Sequence, residues 1–180
     1  MRLLLKIAAV GTGVSLFFTY LVFARPVARD HIKHADAVVV LGVDPDDDSG
    51  TEVDAGLHLM HSGVAPLFIL IEGKSPGRST ANRVCSTRHR FAVECPTPVR
   101  GGIEGTARVI SRMVRAHHWK HIVIVTQSYD MRRARLLVKR CARSFVYAYS
   151  AEESIWSFGR WWGSFTEWGK LAHAEIWRQC

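Results

Sequence analysis

Two apolar patterns alternate along the chain. Uninterrupted runs rich in β-branched residues at 36–42, 67–71 and 122–125 read as strands buried on both faces, because a strand with one wet face would alternate apolar and polar residues. Between and after them, apolar residues recur at helical spacing: Val53, Leu57 and Met60; Ala107, Ile110, Met113 and Val114; Ala134, Leu136, Leu137 and Val138. A short helix over 80–87 leads to a strand at 91–94, Pro96 and Pro98 exclude a helix there, Gly101-Gly102 marks a turn, and 145–149 is a fifth strand. Phe165, Trp168, Leu171, Ala172 and Trp177 place an apolar face on a last helix. Strand alternating with helix predicts an α/β domain with a five-stranded parallel sheet covered on both faces, in three layers joined by right-handed crossovers. With strand order 3-2-1-4-5, the topological switch point falls between the first and fourth strands and sets 42–48 opposite 127–130.

That switch point draws attention to the segment after the fourth strand. The apolar run ends in Thr126-Gln-Ser-Tyr129-Asp130 and turns basic at Arg132, Arg133 and Arg135. In open parallel sheets ligands bind here, where strand ends and helix amino termini converge. Asp130 is the titratable group of the loop and the candidate acid or base, and Ser128, Tyr129 and Arg133 are suited to an anionic ligand. The simpler role for Asp130 is a helix cap, its side chain accepting backbone amides two or three residues on. Gly42 and Gly73 end strands where a backbone turns or meets a ligand closely.

The amino terminus suggests a compartment. After Arg2 and Lys6 comes an uncharged stretch at 7–24, which at about 1.5 Å per residue nearly crosses a hydrocarbon core of roughly 30 Å. Phe17, Phe18, Tyr20 and Phe23 gather at its far end, followed by Arg25-Pro26, as at a membrane interface. An uncleaved transmembrane anchor fits the length, and a cleaved signal peptide fits the small residues before Arg25. Either reading places the later residues outside the cytoplasm. The resulting organisation is 1–24 as anchor or signal segment, 25–35 as a charged linker and 36–180 as the α/β domain.

Composition narrows the partners. At 180 residues with 48% hydrophobic content the chain suits one domain of this class, and its formal charge of +8 suits an anionic lipid surface or an acidic envelope metabolite or polymer. No zinc-finger, RNA-binding or helix-turn-helix pattern supports nucleic acid as a partner. Four cysteines, Cys85, Cys95, Cys141 and Cys180, lack zinc or thioredoxin spacing, and an extracytoplasmic location favours pairing. The expected bridges are Cys85 with Cys95 and Cys141 with Cys180. Asp44, Asp46 and Asp48 alternate like a calcium loop, but Ser49 and Ala55 stand where that motif needs glycine and glutamate. The histidines, including His58, His61, His117 and His118, form no ligand triad by spacing, so no metal site is expected. A P-loop, a Gly-x-Gly-x-x-Gly turn and a Gly-x-Ser-x-Gly elbow are all missing, and the sequence points to no cofactor.

Four blocks, in order, resemble the YdcF-like family of bacterial envelope proteins, which includes the SanA and ElyC types. They are Ala37-Val-Val-Val-Leu-Gly42; Val53-Asp-Ala-Gly-Leu57 through Ser62-Gly63-Val-Ala-Pro66; Gly105-Thr-Ala-Arg108; and Val125-Thr-Gln-Ser-Tyr129-Asp130-Met-Arg-Arg133-Ala-Arg135. Arg140-Cys141, Trp168-Gly-Lys-Leu-Ala-His173 and the final Cys180 are similar to its actinobacterial branch. The resemblance implies a membrane-held, Rossmann-like domain of the cell envelope acting on lipid-carrier or polysaccharide metabolism. The implied cleft is lined by Gly42, Asp44, Gly73, Lys74, Arg108, Ser128, Tyr129, Asp130 and Arg133, and takes a phosphorylated or acidic envelope metabolite. Three positions depart from the family pattern: Glu52 stands for the usual Arg, Thr106 lies where a glutamate is usual, and Asp130 stands for His. Two functions follow, an envelope protein that processes its ligand and a descendant that binds a ligand or partner without turnover.

Overall fold

The computed structural model describes residues 30–43, 50–72, 80–96, 102–128 and 130–151, together with Gly11 and Gly13. Nine elements alternate: β1 (Ala37–Val43), α1 (Thr51–His61), β2 (Leu67–Glu72), α2 (Thr80–Ser86), β3 (Ala92–Glu94), α3 (Gly102–His117), β4 (His121–Thr126), α4 (Met131–Ala142) and β5 (Phe145–Ser150). All five strands are parallel, in the order β3-β2-β1-β4-β5. The switch point therefore lies between β1 and β4, where Val39 stands in register with Ile69 on one side and Ile124 on the other.

Continuous apolar strands are required because both faces of the sheet are buried. Val39, Leu41, Ile69, Ile122 and Ile124 face α3 and α4, whose Ala107, Ile110, Val114, Ala134, Leu137 and Val138 complete one core layer. Val38, Val40, Phe68, Leu70, Val123 and Val125 form the other layer with Val53, Leu59 and Met60 of α1 and Val84 of α2. The buried stripe of α1 is Val53, Gly56, Leu59 and Met60, with Leu57 only half-buried. This differs from the Val53, Leu57, Met60 spacing because α1 lies so close to the sheet that its contact line runs through a glycine. A Cβ on Gly56 would come within 2.7 Å of Val40 and 2.8 Å of Phe68.

The linker is tied to the sheet in its described part. The Asp30 amide donates to the Ala148 carbonyl at 3.2 Å and the Ala148 amide donates to Asp30 Oδ2 at 2.9 Å, along the open edge of β5. Arg135 of α4 pairs with the same carboxylate oxygen at 3.1 Å. Ile32 then packs on the α1 side of the sheet, and Asp36 Oδ2 accepts the amides of Lys120 and His121 at 2.7 and 2.8 Å. Among the described residues no helix is long and apolar enough to cross a membrane, and the apolar stretch 7–24 lies outside them except for Gly11 and Gly13.

Cys85 and Cys95 are joined by a disulfide that closes the end of α2 onto the residue after β3. Cys141 is also disulfide-bonded, and its expected partner Cys180 lies outside the described residues.

Candidate functional site

The carboxyl ends of the strands are built from loop geometry that begins inside the strands. Gly42 is the extra residue of a β1 irregularity: Leu41 pairs with Ile71 and Val43 with Glu72, so β1 carries one more residue than β2 at this end. Such a bulge turns the strand end locally. α1 opens at Gly50 with φ 60°, in contact range of Thr80 at the start of α2, since a Cβ there would lie 3.1 Å from the threonine hydroxyl oxygen. The amino ends of α1 and α2 thus sit side by side. In the first turn of α1, Glu52 is only 2% exposed, and its Oε2 accepts the Thr51 hydroxyl at 3.3 Å.

On the other side of the switch point, Thr126 ends β4 in register with Ser150 of β5, and both hydroxyl residues are buried. The Thr126 carbonyl accepts the Ala151 amide at 3.1 Å, and the Gln127 carbonyl accepts the amides of Asp130 and Met131 at 3.2 and 3.1 Å. These bonds bring Asp130 and Met131 back to Gln127, and Ser128 lies half-buried at the end of β4.

Asp130 does not cap α4 with its side chain, which corrects the simpler role expected for it. The residue has helical φ and ψ of −84° and −19° and no side-chain cap bond, whereas a capping residue has an extended backbone that swings its side chain over the helix end. Its carboxylate instead faces Arg133 one turn on: Arg133 Nη2 donates to Asp130 Oδ1 at 3.2 Å, with the two side chains 16% and 19% exposed respectively. The guanidinium expected to bind an anion and the carboxylate expected to move a proton hold each other in a half-buried ion pair.

The remaining expected residues divide. Gly42, Ser128, Asp130 and Arg133 gather at the ends of the neighbouring strands β1 and β4. Arg108 is exposed in the second turn of α3, six residues or about 9 Å along the axis from the helix start. Asp44, Gly73, Lys74 and Tyr129, and the acidic loop containing Asp46 and Asp48, lie outside the described residues. Among the described residues no group of three His, Cys, Asp or Glu side chains is placed to hold a metal ion.

Sequence reasoning did not assign Glu52 to the site, although it stood out as an acid where the resembled family has a base. An acid in the first turn of a helix is ordinary, because it complements the helix dipole, so only its burial distinguishes it. The pairing of Thr126 with Ser150 was equally hidden, because contact across two strands has no local signature. No family model matches the chain, and no curated protein or solved structure matches it significantly.

Proposed function

We propose that this chain is a membrane-tethered, extracytoplasmic α/β domain of YdcF-like type. In this reading it binds a phosphorylated or acidic envelope metabolite at the carboxyl end of β1 and β4. The observation that carries the site is the switch point, where α1 and α4 begin beside adjacent strands. Anions are favoured where helix amino termini converge, and Arg133 supplies a fixed guanidinium there. The Cys85–Cys95 bridge supports the compartment, since such bonds persist mainly outside the cytoplasm. The family assignment rests on the four sequence blocks.

Binding without turnover is the favoured mode. A general base needs a carboxylate free to take a proton from its substrate, and Asp130 is engaged by Arg133 at 3.2 Å. The same pairing suits recognition, since a ligand oxyanion can take the place of Asp130 on a guanidinium already held at the strand end. Mass spectrometry of small molecules retained by the purified full chain, compared with Arg133→Ala, tests the reading. An anionic metabolite carried by the native protein and lost from the variant is expected, whereas identical profiles would remove the anion site.

A further inference from the structure

We infer that the amino-terminal end of β4 and β5 is a lipid-facing surface that rests on an anionic membrane. Among the described residues Phe145 is the large apolar side chain left exposed, at 57%, and a single such residue is ordinary on a protein surface. Phe145 is not isolated. Its ring lies 5.0 Å from that of Tyr147 and 5.9 Å from that of His121, and His121 stacks on Tyr147 at 6.1 Å. The Phe145 amide donates to the Lys120 carbonyl at 2.8 Å, which sets exposed Lys120 beside it, and exposed Arg143 precedes it by two residues. An aromatic cluster flanked by cations is the composition that partitions to lipid headgroups, the rings entering the interface and the cations meeting anionic phosphates. Asp36 is the acidic residue at this end, and its Oδ2 is engaged by the Lys120 and His121 amides.

Chain connectivity places the β5 edge within reach of the lipid, and the aromatic rings and cations at Phe145 select the end that meets it. Asp30 is bonded to Ala148 in the middle of β5, between Phe145 and Ser150, within about 10 Å of either end at strand rise. The apolar stretch 7–24 ends six residues before Asp30, a reach of at most about 20 Å for extended chain. A membrane segment ending there holds the β5 edge near the lipid surface. The inference rests on the tethering part of the proposed function and adds an orientation. The candidate ligand site lies at the opposite end of the six-residue strands β4 and β5, about 20 Å from the lipid-facing end, and faces the aqueous side.

The test uses the full chain reconstituted in vesicles of phosphatidylcholine with about one third phosphatidylglycerol, a fraction chosen to give a negative surface potential. Phe145 is replaced by photoreactive p-benzoylphenylalanine, with exposed Arg132, at the other end of the sheet, replaced likewise as control. Lipid adducts from position 145 at several times the yield from position 132 are expected. Adding Lys120→Glu and Arg143→Glu should lower the yield at 145 several-fold on these vesicles, and much less on phosphatidylcholine alone. A chain that resists carbonate extraction yet gives no lipid adduct at 145, gives equal adducts at both positions, or cross-links to a second copy overturns the surface while leaving the tether intact. Release by carbonate overturns tether and surface together.

Discussion

Gly56 shows how one missing side chain sets the spacing of two layers. With a methyl group 2.7 Å from Val40 and 2.8 Å from Phe68, Gly56→Ala forces α1 or these two buried side chains to shift. Overpacking of this kind costs about 1–3 kcal/mol, against a helix-propensity gain of about 1 kcal/mol. The expected result is a lower urea midpoint, and an unchanged or raised midpoint would show that α1 has room to move. The reverse holds at Arg143, which follows α4 in the left-handed region at φ 55°. Arg143→Gly removes a strain of about 1 kcal/mol that L side chains carry there, so a thermal midpoint higher by a few degrees is expected. Asp36 is the third residue whose role is entirely geometric. One carboxylate oxygen satisfies the Lys120 and His121 amides, and Asp36→Ala should destabilise the domain by about 1–3 kcal/mol, read as a lower midpoint in the same urea titration.

At the scale of elements, the edges of the sheet are managed differently. β3 is only three residues long and is held by the Cys85–Cys95 bridge across ten residues of chain. A short closed loop of this size contributes about 2–3 kcal/mol. Replacing both cysteines by serine should lower stability by that amount, and hydrogen exchange at Ala92–Glu94 should accelerate before exchange at β1 or β4 does. Uniform acceleration would mean that β3 is not an independent opening unit. At the opposite edge, β5, the linker meets the strand at one residue: Asp30 pairs with Ala148 and Arg135, which occupies the Ala148 backbone groups that would otherwise offer a template to another strand. Within α4, the first turn is governed by the Asp130–Arg133 pair, which leaves the helix without a side-chain cap.

For the whole molecule, that pair decides between recognition and catalysis. Asp130→Ala removes a negative charge 3.2 Å from the Arg133 guanidinium. On a binding reading, affinity for a phosphate-bearing probe should rise about fivefold, corresponding to about 1 kcal/mol of relieved competition. Isothermal titration of the native chain and the variant with the metabolite retained by the native protein reads this directly. Loss of a measurable turnover in the variant, with affinity unchanged, would instead establish Asp130 as a reacting group.

The layered architecture was legible in the sequence, since continuous β-branched runs and helical stripes are local consequences of burying both faces of a parallel sheet. Cys85 with Cys95 was legible for a related reason: a helix end and the following strand are close whenever the connection between them is short. The sequence also indicated Asp130 and Arg133 as the residues of interest, because strand-end loops at a switch point are where parallel sheets place ligands. Only the folded structure decided what those two side chains contact. Whether Asp130 caps a helix or grips Arg133 depends on a backbone torsion of −19° at one residue, set by the turn that Gln127 closes. The burial of Glu52, the pairing of Thr126 with Ser150, the glycine contact line of α1 and the anchoring of Asp30 on β5 share that origin. The Thr126–Ser150, Gly56 and Asp30 contacts join residues far apart in the chain, and hydrophobic periodicity reports which side of an element is buried but not which atoms meet it there.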